Sequence, residues 1–191
     1  MGRVQPEAAV KTALLYPDGS SILQEERLVD VYPQYATVVA KIDLDHARQA
    51  QFLRLSIELE AVRRLTADAS AETAKDLREV LVRQAAVATQ ETDDVFDSID
   101  REFHRKLYEK TGILELWASV RRQSVHLDRL RRLHLPMPGK MQTVLTEHEA
   151  IVDAIASGRP AHAEMALRKH LCATLSIIDV ISSEFPTYIR I

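Results

Sequence analysis

The chain reads as an all-α protein: an antiparallel six-helix bundle preceded by a short helix and a small β-hairpin. Three observations predict this. Past residue 42, Ala, Leu, Glu and Arg dominate, and these residues lose little on entering a helix. The 191 residues hold five glycines, and glycine and proline fall where they cut the chain into helix-length segments. Within those segments apolar residues recur at spacings of three and four, which gathers them on one face.

The elements follow in order. The first helix is expected from about Asp43, a good cap, to about Ala67, with Ala47, Phe52, Leu55, Leu59 and Val62 toward the core. The second follows Ser70 and carries Leu77, Val80, Leu81 and Ala85. The third starts near Thr92 and stops at Gly112, a usual C-terminal glycine position. The fourth runs from about Ile113 to Leu135, where Pro136 and Pro138 end it. The fifth runs from about Lys140 to Ser157 and closes at Gly158. The sixth opens at Pro160, favoured in a first helical turn, and ends before Pro186. Short connections favour antiparallel neighbours. Residues 1–42 differ from the rest. Pro6 to Leu15 has the make-up of a short helix, and Gly19, Ser20 and Ser21 make a turn. Leu28 to Tyr32 and Thr37 to Lys41 read as two strands around Pro33-Gln34-Tyr35-Ala36. The chain therefore divides into 1–42, small and mixed, and 43–191, helical.

Charge and cysteine content exclude some roles. With 25 Lys and Arg against 28 Asp and Glu, the net charge is −3, so no global basic field draws in nucleic acid. Locally, Arg121, Arg122, Arg129, Arg131 and Arg132 crowd one helix. Cys172 is the single cysteine, so an internal disulfide is impossible and a reducing cytoplasm is expected. No apolar run approaches the ~18 residues of a membrane span. The start, Met-Gly-Arg-Val-Gln-Pro-Glu, lacks a hydrophobic signal region.

Polar residues on apolar stripes carry the chemistry. Asp100 and His104 lie four apart, on one helix face with Phe96, Ile99, Phe103 and Leu107. His148 lies among Val144, Leu145, Ile151, Val152 and Ile155. His170 lies among Ala163, Ala166, Leu167, Thr174 and Ile177. Each points inward from a different amphipathic helix, and burying a carboxylate with three imidazoles is costly unless something pairs them. One reading is a divalent cation, zinc first, with nickel or manganese also suited to Asp and three His. The other is a hydrogen-bonded Asp–His network without metal. A zinc hydrolase using Glu102, Glu147 or Glu149 as base is the enzymatic alternative; against it, the chain has no His-Glu-x-x-His motif and no nucleophile–base set.

Five segments carry a family resemblance: Arg54 to Glu58 (Arg-x-x-Ile-Glu), Asp100-Arg-Glu-Phe-His104, His126-Leu-Asp-Arg129, Glu147-His-Glu-Ala-Ile151 and Arg168-Lys-His-Leu171. In order and layout, residues of about 43 to 185 resemble the C-terminal effector-binding FCD domain of GntR-family bacterial transcription regulators, FadR-like subgroup. The resemblance implies a helical bundle with a central cavity and a metal on Asp100, His104, His148 and His170. It also implies a homodimer that controls transcription and binds a small mono- or dicarboxylate in that cavity. Arg54 matches the family's arginine, whose planar fork suits a carboxylate; its helix-surface alternative is pairing with Glu58. Arg129 is the second candidate. His126 and Asp128 are expected to pack or support, and Tyr108 and Trp117 to line the cavity or fill core. At the N-terminus, Ala9 to Leu14, with Lys11, resembles the recognition helix of a winged helix-turn-helix, and Arg27 to Gln34 resembles its wing. The helices that normally precede the recognition helix are absent, and Tyr35-Ala36 replaces the Arg-Gly of the wing tip. The expectation is weak DNA binding, through truncation or loss.

Overall fold

The computed structural model describes residues 22–32, 35–89 and 93–190. The expected short helix and Lys11 lie outside the described residues, as do Pro33 and Gln34 at the hairpin turn. The hairpin itself is present: β1 (Val29–Tyr32) pairs antiparallel with β2 (Ala36–Val39), in a register that sets Val29 opposite Val39. Helices follow: α1 (Leu44–Asp68), α2 (Ala71–Ala88), α3 (Asp93–Lys110), α4 (Glu115–Gln123), α5 (Val125–His134), α6 (Lys140–Ala156), α7 (Pro160–Cys172) and α8 (Ile178–Glu184). A two-residue strand before α1, β3 (Ile42–Asp43), pairs in parallel with β4 (Ile189–Arg190) at the chain's other end, a closure that no local pattern announced.

The expected boundaries come from identifiable caps. Asp43 Oδ1 accepts from the His46 N–H at 2.9 Å and starts α1. Ser70 Oγ accepts from the Thr73 N–H at 3.3 Å and starts α2. Gly112 and Gly158 take positive φ of 73° and 62° just past α3 and α6, conformations that cost glycine little. Pro160 occupies the first turn of α7.

Two of the six expected helices are broken. The segment from Ile113 to Leu135 is α4 plus α5, divided at Ser124, where φ −88° and ψ 1° leave the helical region. The Ser124 hydroxyl donates to the Val120 carbonyl at 2.7 Å, a local bond that competes with the backbone ladder. The sixth helix stops at Cys172, passes through a 3₁₀ turn at Leu175–Ile177 and resumes as α8. A third correction concerns Phe52, which is 74% exposed and not in the core. The inward face of α1 carries Ala47, Gln51, Arg54, Glu58 and Val62 instead. Phe52 stands two residues from Arg54, about 200° around the helix, so burying one exposes the other.

Helices α1, α2, α3, α6 and α7 enclose the main core, in which Val62, Leu77, Val80, Phe103, Leu107, Ile151, Ile155 and Leu167 are all but sealed from solvent. A second cluster at the β3/β4 end joins Ile42 and Ala47 to Leu127, Leu130, Ile181 and Ile189. The main core is apolar toward the α1–α2 turn and becomes polar midway along α3 and α6 and near the end of α7. That transition is where the candidate site lies.

Candidate metal centre

Asp100 and His104 from α3, His148 from α6 and His170 from α7 converge, each with one ligand-type atom within 4.8 Å of all the others. All four are buried. The Nε2 atoms of His104 and His170 lie 3.1 Å apart, and those of His148 and His170 lie 3.2 Å apart. An Asp100 oxygen lies 3.6 Å from His148 Nε2 and the other 4.0 Å from His104 Nε2.

The opposite nitrogen of each ring explains why these Nε2 atoms meet. His104 Nδ1 donates to Glu58 Oε2 at 2.7 Å, His148 Nδ1 to Gln84 Oε1 at 2.8 Å, and His170 Nδ1 to Glu147 Oε2 at 3.1 Å. In a neutral imidazole one nitrogen carries the proton and the other a lone pair. A proton on Nδ1 leaves the Nε2 of a neutral ring as a bare lone pair, and it is the Nε2 atoms that face one another. Burial holds His104 down to about 4 and His148 well below the usual imidazole range, so both rings are neutral at pH 7. Asp100 Oδ1 is buried and lacks a hydrogen-bond partner. Two donors that share one cation at ~2.1 Å in tetrahedral array lie about 3.4 Å apart. The residues present therefore fit a divalent cation, in donor type, in spacing and in the neutrality of His104 and His148.

Charge around the cluster is tightly paired. Burial alone would raise the Glu58 carboxyl, but Arg54 and His104 outweigh it and hold the group at about 2. Arg54 Nε donates to Glu58 Oε1 at 2.7 Å, and the Tyr108 hydroxyl lies 3.5 Å from the same oxygen. Burial likewise opposes ionisation of Asp100, and the Arg131 guanidinium paired with its Oδ2 reverses that, holding the carboxyl well below its ordinary range.

Beside His170 lies a small cavity of about 20 Å³, lined among others by Gln51, Arg54, Arg131, His134, Lys140 and Thr174. That is room for about one water molecule. Arg54 therefore both lines the cavity and pairs with Glu58. Arg129 does not line it; two residues on, Arg131 does. Arg129 is half-buried near His126, with one Nη lacking a partner. His126 Nδ1 accepts from the Asp43 N–H at 3.1 Å, tying α5 to the start of α1. Asp128 pairs with Arg121. Tyr108 packs edge-on against Trp117, with ring centroids 5.2 Å apart, and neither lines the cavity.

Sequence reasoning named the four converging residues and missed their partners. Gln84 gave a signal, a polar side chain on the stripe of Leu77, Val80 and Leu81; Glu58 and Glu147 gave only their adjacency to Arg54 and His148. The carboxylates weighed as catalytic bases are otherwise engaged: Glu102 pairs with Arg83, Glu147 accepts from His170, and Glu149 is exposed.

Comparison with known proteins agrees with this layout. Residues 49–173 match the FCD domain family. An uncharacterized HTH-type transcriptional regulator in an unstable DNA locus of Streptomyces ambofaciens is 32% identical over 166 residues, which is 86% of this chain and 69% of that protein. The HTH-type transcriptional repressor RspR of Escherichia coli K12 is 25% identical over 150 residues, covering 78% of this chain and 65% of its own length. The chain thus spans about two thirds of the length of these relatives. In fold it is similar to E. coli McbR/YncC, with a TM-score of 0.69 at 13% identity, covering 88% of this chain and 79% of that one. Streptococcus agalactiae GntR gives 0.56 at 18% identity, covering 81% and 77%. Both curated relatives are HTH-type transcriptional regulators by name. With the matched FCD domain spanning more than half of its residues, the chain belongs to the FCD-domain family, alongside HTH-type transcriptional regulators.

Proposed function

We propose that the helical part of this chain is the sensory domain of its regulator. It holds a divalent cation, zinc foremost, on Asp100, His104, His148 and His170, and it binds a small organic acid in the adjoining cavity. One observation carries the metal reading: three buried imidazoles turn their Nε2 atoms to one point, each ring oriented by an acceptor on Nδ1. Such outer partners fix the tautomer and orientation of metal-binding histidines. A bound cation supplies positive charge and open coordination positions for an anionic ligand.

The acid reading rests on the cations of the cavity wall. Arg54, Arg131 and Lys140 line a space beside His170, and burial depresses the Lys140 ammonium, so an anion there is welcome. An acid exceeds the one-water volume, and its binding displaces the walls. Through that movement the domain would govern DNA binding by a homodimer of the regulator. The test is what the purified protein carries: elemental analysis, together with mass spectrometry of small molecules released on denaturation. Near-stoichiometric zinc, nickel or manganese in the wild type, lost on replacing His148 and His170, is expected. Metal content unchanged in that double variant would refute the assignment.

A further inference from the structure

The four converging side chains are buried, so whatever they hold must come in from solvent. The cavity that His170 lines has room for about one water molecule. A hydrated cation is larger than that, so a wall has to move to admit it.

One wall is shared with a second space. A surface cleft of about 360 Å³ lies between the end of α2, the start of α3 and the connection from α5 to α6, lined among others by Ala88, Pro136, Met137 and Met141. Leu135 and Lys140 line both the cleft and the cavity. They form the partition: Leu135, 9% exposed, follows the last residue of α5, and the half-buried Lys140 opens α6.

The chain between them is lightly held. Pro136 and Pro138 have no N–H with which to carry the helical ladder on from α5. Gly139 precedes α6 at φ 75° and has no side chain to bond the helix's first turn. A Cβ on Gly139 would meet nothing within 4 Å, so no neighbour presses on that backbone. Two turn bonds remain, from the Met137 N–H to the His134 carbonyl at 3.1 Å and from the Lys140 N–H to the Met137 carbonyl at 3.0 Å. Packing closes the partition, with Leu135 in one cluster with Phe96, Met141 and Val144. The opposite wall is tied across elements: Gln51 Nε2 donates to the Leu171 carbonyl at 2.7 Å, and His134 Nδ1 lies 3.3 Å from the Thr174 hydroxyl. A hinge therefore falls just after His134.

We propose that the α5–α6 connection is the gate of the site: Leu135 swings out of its packing with Phe96, and the cation passes from the surface cleft into the cavity beside His170. This rests on the metal reading above and adds Leu135 as the residue that sets the rate of exchange. A gate alters the barrier to entry and exit alike, so it moves both rates by one factor and leaves affinity in place.

Zinc is the probe. Stopped-flow mixing of the full chain with zinc gives the association rate, transfer from the loaded protein to excess EDTA gives the release rate, and competition titration gives Kd. In Leu135→Ala both rates should rise by at least about tenfold, as the packing lost in such a change implies, with Kd within about threefold of wild type. Leu127→Ala is the control, an equal deletion in the same cavity's wall on the side of the second core cluster. Its rates should stay within about threefold of wild type. If either variant fails to fold, the milder pair Leu135→Val and Leu127→Val makes the same comparison with a smaller acceleration. Wild-type rates in the Leu135 variant would overturn the gate and leave the metal reading intact. So would an equal acceleration in the Leu127 variant, or faster release joined to slower association, which is lost affinity. A wild-type chain that binds no zinc would overturn the metal reading itself, and the gate with it.

Discussion

Replacing His170 by alanine probes the centre of the site, because its Nε2 lies 3.1 Å from that of His104 and 3.2 Å from that of His148. A ligand that binds the folded state alone stabilises it by about 2.7 kcal/mol at 100 times its Kd and about 4.1 kcal/mol at 1,000 times. For a chain of 191 residues, each kcal/mol moves Tm by roughly 2–4 °C. Zinc added to chelator-stripped wild type should therefore raise Tm by roughly 5–15 °C. In His170→Ala one of four donors is gone, and the zinc-dependent rise should fall to less than half. In His148→Ala/His170→Ala it should vanish.

The difference between zinc-free and zinc-loaded scans is the informative quantity. The absolute Tm of each variant also carries the cost of deleting a buried ring; His148, for example, stacks on Phe103 at a centroid distance of 3.9 Å. Gln84→Ala offers a finer test, since it leaves all four donors in place and removes only the acceptor on His148 Nδ1. Loss of such a partner lowers metal affinity by about 10–100-fold, so its zinc titration should shift by that factor. Differential scanning fluorimetry against free zinc concentration measures all four proteins. An equal zinc-dependent rise in the wild type and the double variant would refute the reasoning.

Three further outcomes follow from the packing. Arg54→Ala strands the Glu58 carboxylate, fully buried, without its guanidinium, and chemical denaturation should show a loss of about 3–5 kcal/mol; Arg54→Ala/Glu58→Gln should recover more than half of it. Asp43→Ala removes the α1 cap and contacts to Arg27 and Arg190 at 3.6 and 3.3 Å, and should lower stability by about 1–2 kcal/mol, read as Tm. Burial depresses His126 from 6.5 to about 4. The unfolded chain therefore takes up that proton first, and stability is complete above 6.5 and falls as pH drops toward 4. At ~1.36 kcal/mol per pH unit this one group accounts for at most about 3 kcal/mol, and in His126→Gln the urea midpoint should vary less with pH across that window.

The legible and illegible parts of this protein divide by range. Helix boundaries were legible because caps are local: Asp43, Ser70, Gly112, Gly158 and Pro160 act on residues within one turn. Asp100, His104, His148 and His170 were legible because each interrupts an apolar stripe on its own helix. The breaks at Ser124 and after Cys172 were not, since a serine hydroxyl bonded to its own helix looks in sequence like any polar surface residue. Phe52 misled because apolar residues were assumed to mark the buried face of α1, whereas that face carries Gln51, Arg54 and Glu58 to serve the site. Arg131 and Arg129 stand two residues apart, about 200° around α5, and only the docking of α5 against α1 decides which reaches the cavity. Lys140, His134 and Thr174 come from a helix start, a helix end and a turn, where no period exists to read.

The same long-range placement explains how the two halves of the site are joined. Each arginine of the cavity wall that pairs with a buried carboxylate reaches the His/Asp cluster through it. Arg54 holds Glu58, which accepts from His104 Nδ1; Arg131 holds Asp100, itself one of the four converging groups. An anion bound in the cavity as proposed would compete with Glu58 and Asp100 for those guanidiniums. Whatever it takes from Glu58 alters that carboxylate's hold on the His104 proton, and with it the basicity of His104 Nε2. Whatever it takes from Asp100 frees carboxylate charge for the cluster. Filling the cavity and the donor strength of the four residues are thus parts of one charge network, and coupling between two sites is reciprocal. Under the proposed sensory reading, the buried ion pairs Arg54–Glu58 and Arg131–Asp100, weak as stability devices, would be the links of that coupling.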